Sequence, residues 1–566
     1  MKKLYRIFSK SLMLVVFCVS VHQCKCPSQN DYLTRKQPGY ITNLNVSLIT
    51  NPNGMVPVMG DDDKFHLFRL EKGDDSMCAI MYSTNSGGLD FGLPRQIYCL
   101  DINIGEWVYV DVTRDIKGNY HFFYLNFDGD IDDDRINRGE SERLHGDEYG
   151  GLKLNIWYNK CNAAFEDFTK PRKLTDGYIG SLNSCLTLKN GRILLPFSYY
   201  VNRTWRNRDP QLPQFSHYGV FNCVVLYSDD FGESFSLSNS LWIQTPDIVS
   251  AYGAVEPVCF EKNDGSVDMF IRTQNGVFYH SESKDGSYYE TPKPTSIINS
   301  DSPAAITKSG KKTILLYNSC KRYPYAYGGR HVLHAAISDD DLLHIRGGRE
   351  IFRDERNYEP PPKGGDYGTA YPFANTLNDG RVIFATGQGD RFSIGIIDPA
   401  WLEQTSHTAD FVNHADEWHH FGIDNITVNS SGVTIRPSQD AYEAVVWNYP
   451  ALFTGRILLE FETSGLFEPV TLLLTDHFST PFDEADWLDC VFEVPVQLAN
   501  GSSKIELNFN CETGLLDVSC NGKSQTKNLR AWKRPRNGVN YLRVKTPRFV
   551  NENGYVKLTS AYTDEL

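Results

Sequence analysis

At 566 residues, with 41% hydrophobic and 13% aromatic side chains, the chain is long enough for two or three domains, each with its own core. Its formal charge of −14 removes any global electrostatic reason to expect nucleic acid or an anionic membrane as a partner. An anionic ligand would have to be held by a local cluster of arginines that reverses this field.

The first segment, residues 1–26, carries Lys2, Lys3, Arg6 and Lys10 ahead of an apolar run from Leu12 to Val21. That is the pattern of a secretory signal, too short to span a bilayer. The expected location is secreted or periplasmic. Cys24 is a candidate for lipid anchoring at the cell surface, although His22 and Gln23 stand where small residues are usual. No later apolar run approaches membrane length. The 13 cysteines show no zinc spacing, and those in strand-like runs, such as Cys185, Cys223 and Cys259, are expected to be small buried hydrophobes.

Beyond the leader the chain shows almost no helical periodicity. Short runs rich in Val, Ile, Phe and Tyr, bounded by Gly, Asp, Asn and Lys, recur instead. KFHLFRLEKG from 64 reads as the first strand of the first unit, and GNYHFFY from 118 as another strand. NGRILLPFSYY from 190, DGSVDMFIRT from 264, KKTILLYNS from 311 and DGRVIFATG from 379 follow in the same style. Between them, Ser228 heads S-D-D-F-G-E-S-F, Ser283 heads S-K-D-G-S-Y-Y and Ser338 heads S-D-D-D-L-L-H-I, at intervals of 55 residues. A period near 50 with four short strands per unit predicts the blades of a β-propeller, six or seven of them, over 40–405. The repeated turn is read as a structural clip: the carboxylate accepts turn amides and Gly tolerates positive φ. LNIWYNKCNAAFEDFTKPRKL from 154 reads as an eroded blade end.

Two insertions interrupt the units. Residues 126–151 are heavily acidic; Asp128, Asp130 and Asp132 suggest a calcium loop, but Asp133 and Gly139 occupy the positions that need Gly and Glu, so a solvated rim loop is expected and no metal. SYYVNRTWRNRDPQLPQFSHYG gathers Tyr199, Tyr200, Arg203, Arg206 and His217 in one long connection, a length that is often functional. DPAWLEQTSHTADFVNHADEWHH near 400 reads as a polar connector. Further strand runs over 410–566 predict a β-sandwich, with carbohydrate binding as one role and Trp418, Trp487 or Trp532 as stacking candidates.

Four residues stand at strand starts or ends in separate units: Glu256 in GAVEPV, Arg272 in MFIRTQNG, Arg330 in GGRHVLHAAIS and Tyr371 in TAYPF. Singly each is unremarkable, since a strand Arg usually snorkels and a Tyr before Pro usually packs. Together, two guanidiniums would clamp a planar carboxylate and a Tyr beside a Glu could pass it a proton. With the turn at 228 and the phrases EPVCFEKNDGSVDMFIRTQNGVFYHSESKDGS, SPAAITKSGKKTILLYNS and RHVLHAAISDDD, this order resembles the sialidase (neuraminidase) superfamily of β-propellers over about 150–400.

The resemblance implies a carbohydrate-active enzyme cleaving a terminal acidic sugar. Tyr371 would be the nucleophile, Glu256 its base, and Arg272 and Arg330 two members of a carboxylate-binding triad, sialidases being the glycosidases that use a Tyr nucleophile. The family's Phe/Tyr-Arg-Ile-Pro start is matched only loosely by Phe68-Arg69-Leu70-Glu71, which makes Arg69 the third candidate. Asp90 in GGLDFG is the candidate acid, with Asp128 and Asp130 as rivals. Two other readings stay open. One is β-elimination on a uronic acid of ulvan or rhamnose–glucuronate type, in which an Arg or polar cluster neutralises the carboxylate and a Tyr or His removes the C5 proton; the segment with Tyr200, Arg206 and His217, also expected to bind substrate, suits it. The other is a glycan-binding propeller without catalysis. The expected partner is an acidic oligosaccharide or polysaccharide, the expected state a monomer, and no cofactor is implied.

Overall fold

The computed structural model describes residues 36–37 and 40–41. From 56 to 566 it describes all but 61–63, 73–75, 84–90, 129–152, 203–218, 245–252, 322–329, 354–368, 389–390, 413–416, 422–424, 437–443, 466–467, 480–488 and 547–552. No described helix is long and apolar enough to cross a membrane.

Six antiparallel sheets follow one another along the first two thirds of the described chain, each a meander of neighbouring strands. Blade 1 is Val56–Met59, Phe65–Lys72, Met77–Ser83 and Arg95–Leu100. Blade 2 is Glu106–Arg114, Tyr120–Asp128, Lys153–Cys161 and Arg172–Lys173. Blade 3 is Leu186–Thr187, Ile193–Asn202, Gly219–Ser228 and Ser236–Leu237. Blade 4 is Val255–Glu261, Val267–Arg272, Val277–Ser283 and Lys293–Ile298. Blade 5 is Ala305–Ser309, Lys312–Tyr317, Val332–Ser338 and Arg346–Arg353. Blade 6 is Phe373–Thr376, Val382–Gln388 and Arg391–Ile397, completed on its outer side by Tyr40–Ile41, with Tyr40 opposite Ile397.

The ring is thus a six-bladed propeller closed by a strand from near the N-terminus. The first strands of all six blades line one axial cavity of about 360 Å³. The runs legible in the sequence are the second strands of blades 2 to 6. Packed between neighbouring blades they are buried on both faces, as in Val267–Arg272, and so read as continuous apolar stretches. KFHLFRLEKG is a second strand as well, because Val56–Met59 precedes it in blade 1.

The 55-residue turns connect third to fourth strands. Ser228 Oγ accepts from Gly232 N at 2.8 Å and donates to Asp230 Oδ1 at 2.8 Å, while Asp230 accepts from Ser234 N at 2.9 Å. Ser338 and Asp340 repeat this pattern in blade 5, and Ser283 takes Gly286 N at 2.9 Å in blade 4. At the eroded turn of blade 2, Asn162 Oδ1 takes the amides of Ala164 and Glu166 at 3.0 Å each.

The connector near 400 contains a helical turn, Pro399–Leu402, whose Trp401 and Leu402 are buried, so it is not wholly polar. The remainder is a sandwich of two antiparallel sheets. In one, Tyr555–Glu565 lies between Gly432–Ile435 and Thr454–Ser464; in the other, Val539–Lys545 lies between Ala444–Leu452 and Val470–Thr475. Thr454–Ser464 alternates buried with partly or fully exposed positions, the signature of a sheet with one face toward solvent. Trp418 is buried in this core, Trp532 is exposed, and Trp487 lies outside the described residues.

The sandwich packs on blade 5. Cys320–Lys321 pairs in parallel with Phe478–Ser479. His334, which accepts Ser319 N on Nδ1, donates through Nε2 to Tyr541 Oη at 2.6 Å, and Tyr541 donates to Glu350 at 2.6 Å. Burial pushes His334 down to about 4, consistent with that neutral tautomer. The reading of strand cysteines as small buried hydrophobes needs one correction: Cys78 and Cys99, directly opposite on neighbouring strands of blade 1, form a disulfide. Cys223 and Cys259 are buried free thiols, and Cys185 is free but only partly buried by surface.

Candidate active site

In an antiparallel meander the start of the first strand, the end of the second and the start of the third lie on the same face. Glu256 and Arg272 do not come from separate units as expected but share blade 4: Glu256 follows the first residue of its first strand and Arg272 ends its second. Arg330 stands just before the third strand of blade 5, and Tyr371 just before the first strand of blade 6. Blade topology therefore collects them on one face, the one opposite the Ser/Asp turns. They line a cavity of about 430 Å³ together with Asp301, from the connection into blade 5.

Tyr371 Oη donates to Glu256 Oε1 at 3.0 Å. The other oxygen of Glu256 is paired with Arg272 Nη1, and Arg272 Nε donates to Asp301 Oδ1 at 2.7 Å. Gln274 Nε2 donates to Asp301 Oδ2 at 2.9 Å. Arg330 Nη2 donates to the main-chain carbonyl of Asp301 at 2.7 Å, and its guanidinium lies 5.5 Å from the centre of the Tyr371 ring. Glu256, Asp301 and Arg330 are buried, and the Arg272 side chain is only 11% exposed.

The electrostatics follow from this pairing. Burial works against the charge of Arg272, but Asp301 and then Glu256 outweigh it and hold the guanidinium well above its ordinary range. Burial also pushes Asp301 up, and the attraction of Arg272 overturns this and leaves its carboxyl low. The Tyr371 hydroxyl is pushed up to about 12, mainly by burial and next by Glu256, against the pull of Arg330 and Arg272. At neutral pH Tyr371 is a phenol with its proton directed at Glu256. Two guanidiniums against two carboxylates leave the cluster formally neutral.

Three of these residues have left-handed backbone: Glu256 at φ 46°, Asp301 at φ 55° and Tyr371 at φ 53°. For non-glycine residues such a conformation costs about 1–3 kcal/mol each and gathers at functional sites. Side chains hold it in place here. Glu256 N donates to Ser198 Oγ at 3.3 Å and Asp301 N to Asn299 Oδ1 at 2.9 Å. The carbonyl before Tyr371 accepts from Thr386 Oγ1 at 2.9 Å and Gly387 N at 3.1 Å.

The other candidates fall elsewhere. Arg69 does not line the cavity: it is buried within blade 1, ion-paired to Glu71 and donating to Tyr82 Oη at 3.0 Å. Tyr200 does not line it either, but its ring packs edge-on against Tyr178 and Phe221, which do. Asp90, Asp130, Arg203, Arg206 and His217 lie outside the described residues, as does the side chain of Asp128. The sequence reading missed Asp301 and Tyr109. Asp301 sits in SDSPAAI ahead of a first strand, the phase shared by Tyr371, and that phase was the available signal. Tyr109, on the first strand of blade 2, lines the cavity; burial, then Asp111, Tyr371 and Glu256, raise its hydroxyl far above the ordinary phenol range.

Residues 163–383 match the model of the BNR repeat-like domain. No curated protein matches the chain. Among solved structures, it is similar to Trypanosoma rangeli sialidase in complex with 2,3-difluorosialic acid as a covalent intermediate, at 11% identity over 90% of this chain and 91% of that one, with a TM-score of 0.40. The intramolecular trans-sialidase from Ruminococcus gnavus in complex with oseltamivir carboxylate is 11% identical over 62% of this chain and 95% of that one, with a TM-score of 0.41. A protein of unknown function from Dyadobacter fermentans is 17% identical over 60% and 92%, with a TM-score of 0.42. The six-sheet ring carries the repeated Ser/Asp turns, and the part of it between residues 163 and 383 is what matches the BNR repeat-like domain.

Proposed function

We propose that the protein is an exported glycosidase that removes a terminal acidic sugar, a sialate or a uronate, from an anionic glycan. The observation that carries this reading is the hydrogen bond from Tyr371 to Glu256 beside two arginines in one cavity. The guanidiniums of Arg272 and Arg330 receive the sugar's carboxylate, which the acidic protein as a whole would repel. As the glycosidic bond breaks, Tyr371 Oη bonds to the anomeric carbon and its proton passes to Glu256; the leaving oxygen takes a proton from an acid, for which Asp90 remains the candidate. Water then cleaves the sugar–tyrosine bond and Tyr371 regains its proton. A neutral phenol suits a sialate in particular, whose anomeric carbon bears the carboxylate, because an anionic nucleophile would be repelled there. The Cys78–Cys99 disulfide supports export to an oxidising compartment.

Product analysis tests the reaction class. Incubated with α2,3-sialyllactose and, separately, with a glucuronate-containing oligosaccharide, the protein is expected to release the free acidic sugar from one of them. A rise in short-wavelength ultraviolet absorbance, from a C4–C5 double bond, without free acidic sugar would replace hydrolysis by elimination. Binding of both glycans with no product from either would leave a glycan-binding propeller.

A further inference from the structure

Asp301 occupies an unusual place between the two arginines. Its carboxylate accepts from Arg272 Nε at 2.7 Å, and its main-chain carbonyl accepts from Arg330 Nη2 at 2.7 Å. One residue thus holds a guanidinium from each of two blades. The carbonyl is presented by a backbone at φ 55°, a conformation that Asn adopts readily and Ala does not. Gln274 takes the second carboxylate oxygen at 2.9 Å, so the side chain is fixed at both oxygens.

We propose that Asp301 is the positioning and specificity-determining residue of the arginine pair, fixing both guanidiniums for a sugar carboxylate while its own charge keeps the empty pocket neutral. This rests on the clamp reading above. Two consequences of opposite sign follow. Arginine side chains are long and rotamer-rich, and losing the contact to Asp301 leaves Glu256, the group meant to serve Tyr371, as the remaining ion-pair partner of Arg272 among the described residues. The same carboxylate also repels an incoming one across a few ångströms of low-dielectric space, and removing only its charge is worth about tenfold in affinity for an anion. Asn keeps the backbone, the shape and an acceptor oxygen for Arg272, with Gln274 turning its amide to accept. Ala loses all three.

The test is calorimetric titration of the full chain and of Asp301→Asn and Asp301→Ala with N-acetylneuraminic acid, D-glucuronic acid and the methyl ester of each, with Tm recorded for every protein. Asp301→Asn is expected to bind the acid that the parent binds about tenfold more tightly, and its ester within twofold of the parent. Asp301→Ala is expected to bind the acid at least tenfold more weakly. If Asp301→Asn binds the acid no more tightly, or acid and ester shift together in both variants, the residue is merely structural and the inference is overturned. Should the parent bind neither acid while Asp301→Asn binds one, the role of Asp301 stands and the proposed substrate class of the parent fails. Binding by none of the three proteins overturns both.

Discussion

Around Tyr371 the chemistry depends on burial as much as on residue type. A buried phenol at about 12 stays protonated across the working pH range, so Glu256 matters as the acceptor of a proton that leaves only as the new bond forms. Burial has a different result at Asp111 on the first strand of blade 2. It pushes this carboxyl up to about 7, against the weaker pull of the neighbouring Cys185 and a hydrogen bond from Val112 N. A folded pKa above the unfolded value of about 3.9 means that stability is full below about pH 4 and is lost as pH rises through about 7, by up to about 4 kcal/mol. Asp111→Asn cannot ionise, so its Tm relative to the parent's should rise from pH 4 to pH 8. A gap that is the same at both pH values would refute this.

Residue identity made Glu256, Arg272, Arg330 and Tyr371 legible in the sequence, because Tyr, Glu and paired Arg at strand ends have few bland explanations in combination. Arg69 misled for a local reason. Its charge is met inside its own blade by Glu71, two positions along the same strand, and by Tyr82 on the next. Asp301 was hidden because an Asp among Ser and Asn ahead of Pro looks like ordinary turn chemistry.

Second strands could be read from the chain and first strands could not. The second strands are apolar on both faces, whereas the first strands border the axial cavity and carry polar residues such as Asp111, Thr187 and Asn375. Leu186–Thr187 is also only two residues long. This is why Phe65–Lys72 could be taken for an innermost strand. The Ser/Asp turns were legible because their geometry demands particular residues. Gly232 has φ 81°, and a Cβ there would overlap the Tyr158 hydroxyl, which is hydrogen-bonded to His121 at 2.8 Å. Gly232→Ala should therefore destabilise the protein by about 1–3 kcal/mol in denaturant titrations. Turnover below the transition should be unaffected, since this turn lies on the face opposite Tyr371. Loss of activity without loss of stability would contradict the assignment of the two faces.

The tail could be read as a sandwich because its strands alternate, but its docking onto blade 5 could not. Glu350, His334 and Tyr541 are separated by up to 207 positions and become one buried network only on folding. Closure of blade 6 by Tyr40–Ile41 was equally invisible, since two residues carry no periodicity. The ring brings Glu256, Arg272, Arg330 and Tyr371 from blades 4, 5 and 6 to one pocket, where the proposed reaction makes Tyr371 Oη the nucleophile. Mass spectrometry of the full chain quenched with a 2,3-difluorinated acidic sugar tests this most directly. A single adduct on the peptide containing Tyr371, absent from Tyr371→Phe, is the predicted result; an adduct on another residue, or Tyr371→Phe turning over sialyllactose at the parental rate, would contradict it.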